Sequence, residues 1–164
     1  MILYLVRHGI AIDRTDPHAP AEAERPLTRK GIEKTRQAML GLRELGVKPD
    51  AVITSPYLRA AQTAEIACEV FGFSREKVRQ TNSLKPGSNP TEFVKELAHL
   101  KAKEVMCFGH APNLDQLISH LAGAHSVFTS LKKAGVACIE MHSGPTGRSE
   151  LQWILPPKVL RGLS

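Results

Sequence analysis

Arg7-His8-Gly9 stands where the apolar run Ile2-Leu3-Tyr4-Leu5-Val6 ends. The run reads as a buried strand, so the tripeptide sets an imidazole beside a guanidinium at a strand terminus. An imidazole there can act as a nucleophile, and a neighbouring guanidinium can hold the oxyanion it attacks. Taken alone, a histidine in this place reads as a cap or a satisfied buried imidazole. The chemical reading depends on what the rest of the chain brings to the same edge.

Two further segments supply candidates. Ala51-Val52-Ile53-Thr54 is a short buried strand, and Ser55-Pro56 after it reads as a helix start, Ser as cap and Pro at the first helical position. Tyr57, Ala61, Ala64, Cys68 and Phe71 form that helix's apolar stripe, Gly72 ends it, and Arg59 lies in its first turn, off the stripe. Glu104 to Phe108 is another buried strand and runs out at Gly109-His110. Pro112 sits beside the start of a helix whose inner face is Leu114, Leu117, Ile118 and Leu121, closed by Gly123. In a parallel α/β sheet the carboxyl ends of the strands share one edge, where ligands bind. That edge then receives His8 and Arg7 from the first strand, Arg59 from the second and His110 from the later one.

The elements that position these residues alternate. Asp13 to Arg25, rich in Asp, Pro, Ala and Glu, is a loop. Thr28 caps a helix carrying Ile32, Thr35, Met39 and Leu42 at spacings of three and four, with Ala38 and Leu45 beside them, and Gly46 closes it. A helix is expected over Thr91 to Leu100, with Phe93, Val94, Leu97 and Leu100 inward. Val136 to Met141 and Glu150 to Leu155 read as strands joined by a turn over residues 143–149. The expected fold is a three-layer α/β/α arrangement, with a largely parallel central sheet and a C-terminal antiparallel hairpin. Lys158 to Arg161 reads as a solvated helix face.

Bulk properties narrow the classes. A chain of 164 residues, 42% apolar and 23% charged, is expected to form one domain over residues 1–164 with a substantial core. It begins in a core strand with no basic leader, and no apolar stretch approaches the ~20 residues of a membrane span, so the reading is a cytoplasmic protein without a membrane partner. Cys68, Cys107 and Cys138 are far apart among apolar neighbours and read as buried free thiols. His99, His120 and His125 follow no zinc spacing, and no metal or cofactor is expected. A net charge of +6 favours an anionic partner. Five Phe, two Tyr and one Trp, with no basic stripe interleaved, argue against nucleic acid.

With these parts placed, the sequence resembles the histidine phosphatase superfamily, with its phosphoglycerate mutase-like fold, and within it the SixA-type phosphohistidine phosphatases. The resemblance rests on Arg7-His8-Gly9, on Arg25-Pro26-Leu27-Thr28 followed by Gly31, and on Ser55-Pro56 with Leu58-Arg59-Ala60 and Gln62-Thr63-Ala64. Gly109-His110 with Pro112 and Leu114 completes it. The motifs run in family order from residue 2 to about residue 121, and the C-terminal hairpin agrees in type. The resemblance implies that His8 accepts the phosphoryl group and that Arg7, Arg59 and His110 form the phosphate pocket, His110 as either a neutral or a cationic donor. Arg25, Thr28 and Ser55 are expected in supporting places, Arg25 bracing its loop and Thr28 and Ser55 as caps.

Larger superfamily members carry a carboxylate, after the helix that begins with the second arginine, that protonates an alkoxide leaving group. Here the corresponding stretch, residues 83–90, holds no acid before Glu92. An imidazole, with a reference pKa of about 6.5, can depart neutral if its far nitrogen keeps a proton. The expected substrate is therefore phosphohistidine on a signalling protein such as a phosphotransfer domain. The alternative is a phosphatase for a small phosphorylated metabolite or for phosphoserine and phosphothreonine, with Glu92, Asp13 or a loop carboxylate as acid. A non-catalytic phosphate-recognition module is the remote third reading. Ile10 replaces the polar residue common after the tripeptide, a loss for which Asp13 or Arg14 would compensate.

Overall fold

Two strands buried on both faces set the architecture. In β1 (Ile2–Arg7) and β4 (Glu104–Gly109) nearly every residue is buried, as a strand covered on both sides by helices requires. The computed structural model describes residues 1–142 and 147–164. The elements run β1, α1 (Arg29–Glu44), β2 (Ala51–Thr54), α2 (Leu58–Phe71), β3 (Arg79–Gln80), α3 (Pro90–Ala98), β4, α4 (Asn113–Leu121), β5 (Val136–Met141), β6 (Ser149–Leu155) and α5 (Pro157–Arg161). The strand order is β3-β2-β4-β1-β5-β6. The first four are mutually parallel, while on the far side of β1 strand β5 is antiparallel to β1 and β6 is antiparallel to β5.

Successive side chains of a strand point to opposite faces, and the core divides accordingly. Leu3, Leu5, Val105 and Cys107 pack with Phe93 and Leu97 of α3 and Leu117 and Ile118 of α4. Tyr4, Val6, Met106 and Phe108 pack with Met39 and Leu42 of α1, Ala64 and Cys68 of α2, and Leu160 of α5. The three-layer α/β/α expectation holds. The three cysteines are free and buried, and burial holds each thiol above its ordinary pKa. No helix among the described residues is long and apolar enough to cross a membrane.

Several local expectations need correction. Ile32 and Leu45 are exposed, because the buried face of α1 is centred on Gly31, Thr35, Ala38, Met39 and Leu42. The helix after β2 starts at Leu58, not Pro56, and Ser55 does not cap it. Its buried face takes in Ala60, Thr63, Ala64 and Ala67, together with Arg59, which was expected off the stripe. α5 is not wholly solvated: Leu160 is fully buried, and a Cβ on Gly41 would lie 1.7 Å from its carbonyl oxygen. The turn expected over 143–149 falls partly on residues 143–146, outside the described residues. The two-residue β3 has no expectation to match.

Candidate active site

Parallel register brings the candidate residues together. Arg7 pairs with Gly109 and Thr54 with Phe108, so His8, Ser55 and His110 leave their strands as neighbours. A cleft of about 400 Å³ opens at this edge, lined by Arg7, His8, Arg59 and His110. Asp13, Arg14, Glu22, Arg25, Pro86 and Lys133 complete its polar walls and mouth. Thr28 and Ser55 lie behind the lining, and Glu92 is exposed on α3, away from it.

His8 is held as one tautomer. Its Nδ1 lies 2.7 Å from the carbonyl oxygen of Gly9, which can only accept, so Nδ1 carries the ring proton. Nε2 is then the unprotonated nitrogen, and the Nε–H of Arg59 points at it from 3.2 Å. Burial pushes the imidazole pKa down to about 3; the Gly9 bond opposes this, and the charges of Arg59, Arg7 and Lys133 add to it. At neutral pH His8 is therefore an uncharged imidazole with a free lone pair.

Arg59 is 3% exposed, which a guanidinium tolerates only with its donors engaged. Nη1 donates to the backbone carbonyl of Glu22 at 2.7 Å, Nη2 to the Glu22 carboxylate at 2.9 Å, and Nε to His8. The guanidinium also lies 5.2 Å from the centre of the Tyr57 ring. Glu22 binds Arg25 as well, through Nε and Nη2 at 2.8 Å each, while Arg25 Nη1 donates to the carbonyl of Ile12. Arg25 thus braces the loop and lines the cleft.

His110 is buried against His8, ring centres 5.1 Å apart, and meets Tyr57 edge-on at 5.3 Å. Its Nε2 lies 2.9 Å from Ser55 Oγ, and Ser55 Oγ also accepts the Tyr57 N–H at 3.3 Å. The hydroxyl proton has no other acceptor among the described residues, so Ser55 donates to Nε2 and the ring proton sits on Nδ1. That Nδ1 is buried and has no hydrogen-bond partner among the described residues. Burial, then the charges of His8, Arg59, Arg7 and Arg25, lower the pKa to about 2. In that tautomer His110 offers an uncommitted N–H, and its lowered pKa favours the neutral form.

The backbone under these groups is fixed by close contacts. Thr63 Oγ1 accepts the Gly9 N–H at 3.0 Å and donates to the Arg59 carbonyl at 2.7 Å, tying the first loop to α2. Gln62 accepts the Leu27 N–H at 2.7 Å. Thr28 caps α1 through the Gly31 N–H, and its own N–H donates to the Ile10 carbonyl. A Cβ at Gly31 would lie 2.0 Å from that carbonyl oxygen, so only glycine lets the loop approach α1. Arg7 Nη1 donates to the carbonyl of Leu131 at 2.7 Å, and the buried Asp115 accepts the Leu131 N–H at 2.8 Å and the Thr129 hydroxyl at 2.7 Å.

Both carboxylates at the cleft favour the ionised state. Hydrogen bonds from Thr15 hold Asp13 below its ordinary range, and the Arg25 hydrogen bond does so for Glu22. The assembly offers an uncharged nucleophilic nitrogen, a neutral N–H donor and several fixed cations around one small volume. That set suits attack on an anionic centre whose oxygens spread negative charge.

Glu22, Lys133 and Asp115 carry no signal in the sequence. Glu22 is one of several acids in a loop, Lys133 lies in an aperiodic segment, and Asp115 looks like any first-turn helix acid.

Known proteins resemble this chain in sequence and in fold. The family model described as the histidine phosphatase superfamily (branch 1) matches residues 3–85. An uncharacterized protein of Picosynechococcus sp. is 36% identical over 148 residues, spanning 88% of this chain and 86% of that one. The phosphohistidine phosphatase SixA of Escherichia coli (strain K12) is 25% identical over 162 residues, 96% of this chain and 94% of its own. A solved structure of the protein histidine phosphatase SixA complexed with tungstate has the same fold, with a TM-score of 0.86 at 23% identity over 98% of this chain and 99% of that one.

Proposed function

Because the chain belongs to the histidine phosphatase superfamily, we propose that residues 1–164 form one catalytic domain that hydrolyses phosphohistidine on a protein through a covalent phosphohistidine at His8. Nε2 of His8 attacks phosphorus as the bond to the substrate imidazole breaks. The leaving ring departs neutral, its far nitrogen keeping the proton it already holds. His8 becomes a cationic ring, Nδ1–H on the Gly9 carbonyl and phosphoryl on Nε2. Water then attacks phosphorus, the P–N bond electrons return to Nε2, and dihydrogen phosphate leaves with both protons of the water. Arg7 and Arg59 hold the phosphoryl oxygens, His110 donates from Nδ1, and Arg25 and Lys133 add charge at the mouth. Ser55 is a positioning residue for His110. The cations present supply the neutralisation for which other phosphatases recruit a metal.

The observation that carries the substrate assignment is the state of the carboxylates. Asp13 and Glu22 are the two that line the cleft, and hydrogen bonds keep both ionised. An alkoxide leaving from a monoester needs a proton that neither holds at neutral pH, whereas transfer between two imidazoles needs none. The likeness to a phosphohistidine phosphatase over 96% of the chain supports the same choice. Partners are accordingly phosphorylated proteins, with the site acting in the cytoplasm.

The deciding experiment is a phosphoenzyme trap with residue mapping, run beside turnover of a phosphohistidine protein and of ordinary monoesters. An acid-labile, alkali-stable phosphate on His8, with His8→Ala at least ~10³-fold slower, is the expected result. Equal turnover by His8→Ala sinks the mechanism. A strong monoester preference sinks the substrate, and Asp13 is then the carboxylate to test as acid.

A further inference from the structure

A second cleft, of about 520 Å³, lies on the other side of Arg7 and shares Arg7 and Lys133 with the phosphate cleft. Its floor is apolar, from Ile10, Ala134 and Pro157, while Lys34, Lys132 and Arg161 join Lys133 around it. Among the described residues no carboxylate lines it. Among the described residues five exposed arginines have an acidic partner, Arg36 and Arg75 with Glu69, Arg43 with Glu44, Arg79 with Glu96 and Arg148 with Glu150, while Arg14 and Arg29 have none. The four cations of this cleft have no ion-pair partner among the described residues, although Lys34 and Arg161 are half-buried. Two buried polar atoms of lining residues, Arg7 Nε and Thr35 Oγ1, also have no hydrogen-bond partner there.

Unmatched charge concentrated at one recess, beside unsatisfied buried donors and continuous with the phosphate cleft, calls for an anion larger than phosphate. We propose that this cleft seats an acidic stretch of the phosphorylated protein, carboxylate side chains on Lys34, Lys132, Lys133 and Arg161 and an apolar side chain on the floor, while the phosphoryl group occupies the neighbouring cleft. The inference rests on the phosphoprotein reading above and names the surface chemistry of its substrate. Arg7 and Lys133 lie in the shared wall, so acids near the phosphorylated histidine in space can reach the second cleft without leaving the first.

The test uses two synthetic peptides with one chemically phosphorylated histidine each, flanked by Glu and Leu in one and by Gln and Leu in the other. Phosphoramidate serves as the small substrate. Exposed ion pairs contribute a factor of roughly 1.5 to 5 each, so three combine to about tenfold. At low salt the Glu peptide should exceed the Gln peptide about tenfold in kcat/KM, and the margin should shrink at high salt. K34Q/K132Q/R161Q should remove the margin through KM, while any loss on phosphoramidate, which is too small to reach these side chains, should be several-fold smaller than the loss on the Glu peptide. No preference for the Glu peptide, or a preference that survives the triple variant, overturns the inference. A binding arm stands apart from catalysis: the unphosphorylated, fluorescently labelled Glu peptide should bind the parent and not the triple variant. Failure of turnover on every phosphohistidine substrate counts against the proposed function; equal binding to parent and variant counts against this cleft alone.

Discussion

Ser55→Ala tests whether one hydroxyl selects the tautomer of His110. Ser55 is fully buried, its Oγ sits 2.9 Å from Nε2, and the same oxygen takes the Tyr57 N–H at 3.3 Å. Removing it leaves Nε2 without a partner and frees the ring proton to move there, turning Nδ1 from donor to lone pair. A neutral hydrogen bond contributes about 0.5–1.5 kcal/mol, so the bias lost corresponds to a drop of roughly three- to tenfold in kcat. KM should change little, because the arginines proposed to bind the phosphoryl group are untouched. The upper bound is loss of the donor itself: His110→Ala should approach the ~10²–10³-fold of an oxyanion donor removed.

A merely structural Ser55 would also lower stability, since a buried nitrogen left unsatisfied costs about 1–3 kcal/mol. Kinetics alone therefore do not decide. The ¹⁵N shifts of the His110 ring do: the parent should show Nδ1 protonated and Nε2 bare, and Ser55→Ala a mixture or the reverse. A parent with its proton on Nε2 refutes the reasoning, as does a variant with kcat within twofold of the parent.

Three other outcomes follow from the geometry. The unfolded chain binds protons at its histidines below about pH 6.5, while folded His8 and His110 resist them to about pH 3 and 2; stability is full above pH 6.5 and declines as pH falls. The limiting slope is about 1.4 kcal/mol per pH unit per histidine. Urea midpoints between pH 6.5 and 5.5, where few carboxylates are protonated, should show it, and His110→Asn should flatten it. Glu22→Gln removes the carboxylate that competes with phosphate for Arg59. Arg59 stays anchored by the Glu22 backbone and His8, so inhibition by inorganic phosphate should tighten about threefold, an exposed ion pair's worth; weaker inhibition contradicts the assignment. Asp115→Ala releases two hydrogen bonds behind the Arg7 anchor, each worth about 1.5–3 kcal/mol to a charged acceptor. Urea denaturation should register the loss and substrate KM should rise; unchanged KM separates Asp115 from Arg7.

What was legible in the sequence was local or periodic. β1 and β4 announce themselves as unbroken apolar runs because both their faces are buried, and a parallel sheet then places His8, Arg59 and His110 on one edge. Ser-Pro meets the local rule for a helix start, yet the Ser55 hydroxyl is committed to a histidine 55 positions away. Arg59 was placed off the buried face because a charge breaks an apolar stripe. Its burial depends on a glutamate 37 positions earlier, in a segment with no periodicity to mark it. Thr63 and Gln62, by contrast, stood inside a recognisable motif, and the bonds to Gly9 and Leu27 say why they are there. Pairings between distant polar side chains leave no trace in spacing, and most of this cleft's electrostatics consists of them.

Those electrostatics tie nucleophile and leaving group to one cause. Five cations, Arg7, Arg14, Arg25, Arg59 and Lys133, line the phosphate cleft against two carboxylates, Asp13 and Glu22. Burial discharges His8, and Arg59, Arg7 and Lys133 reinforce it, so the lone pair on Nε2 is available at neutral pH without a base to remove a proton. Arg25 and Arg59 hold Glu22 ionised, and Arg14 and Lys133 lower Asp13 beyond what Thr15 does. An excess of positive charge thus supplies a ready nucleophile and withholds a ready acid. A carboxyl kept protonated for general-acid work would need burial away from these cations or a second carboxylate beside it, and neither carboxylate at the cleft has such surroundings. A phosphoryl dianion would balance that charge, and on the proposed reading a substrate whose leaving group carries its own proton is the one that suits such a cleft.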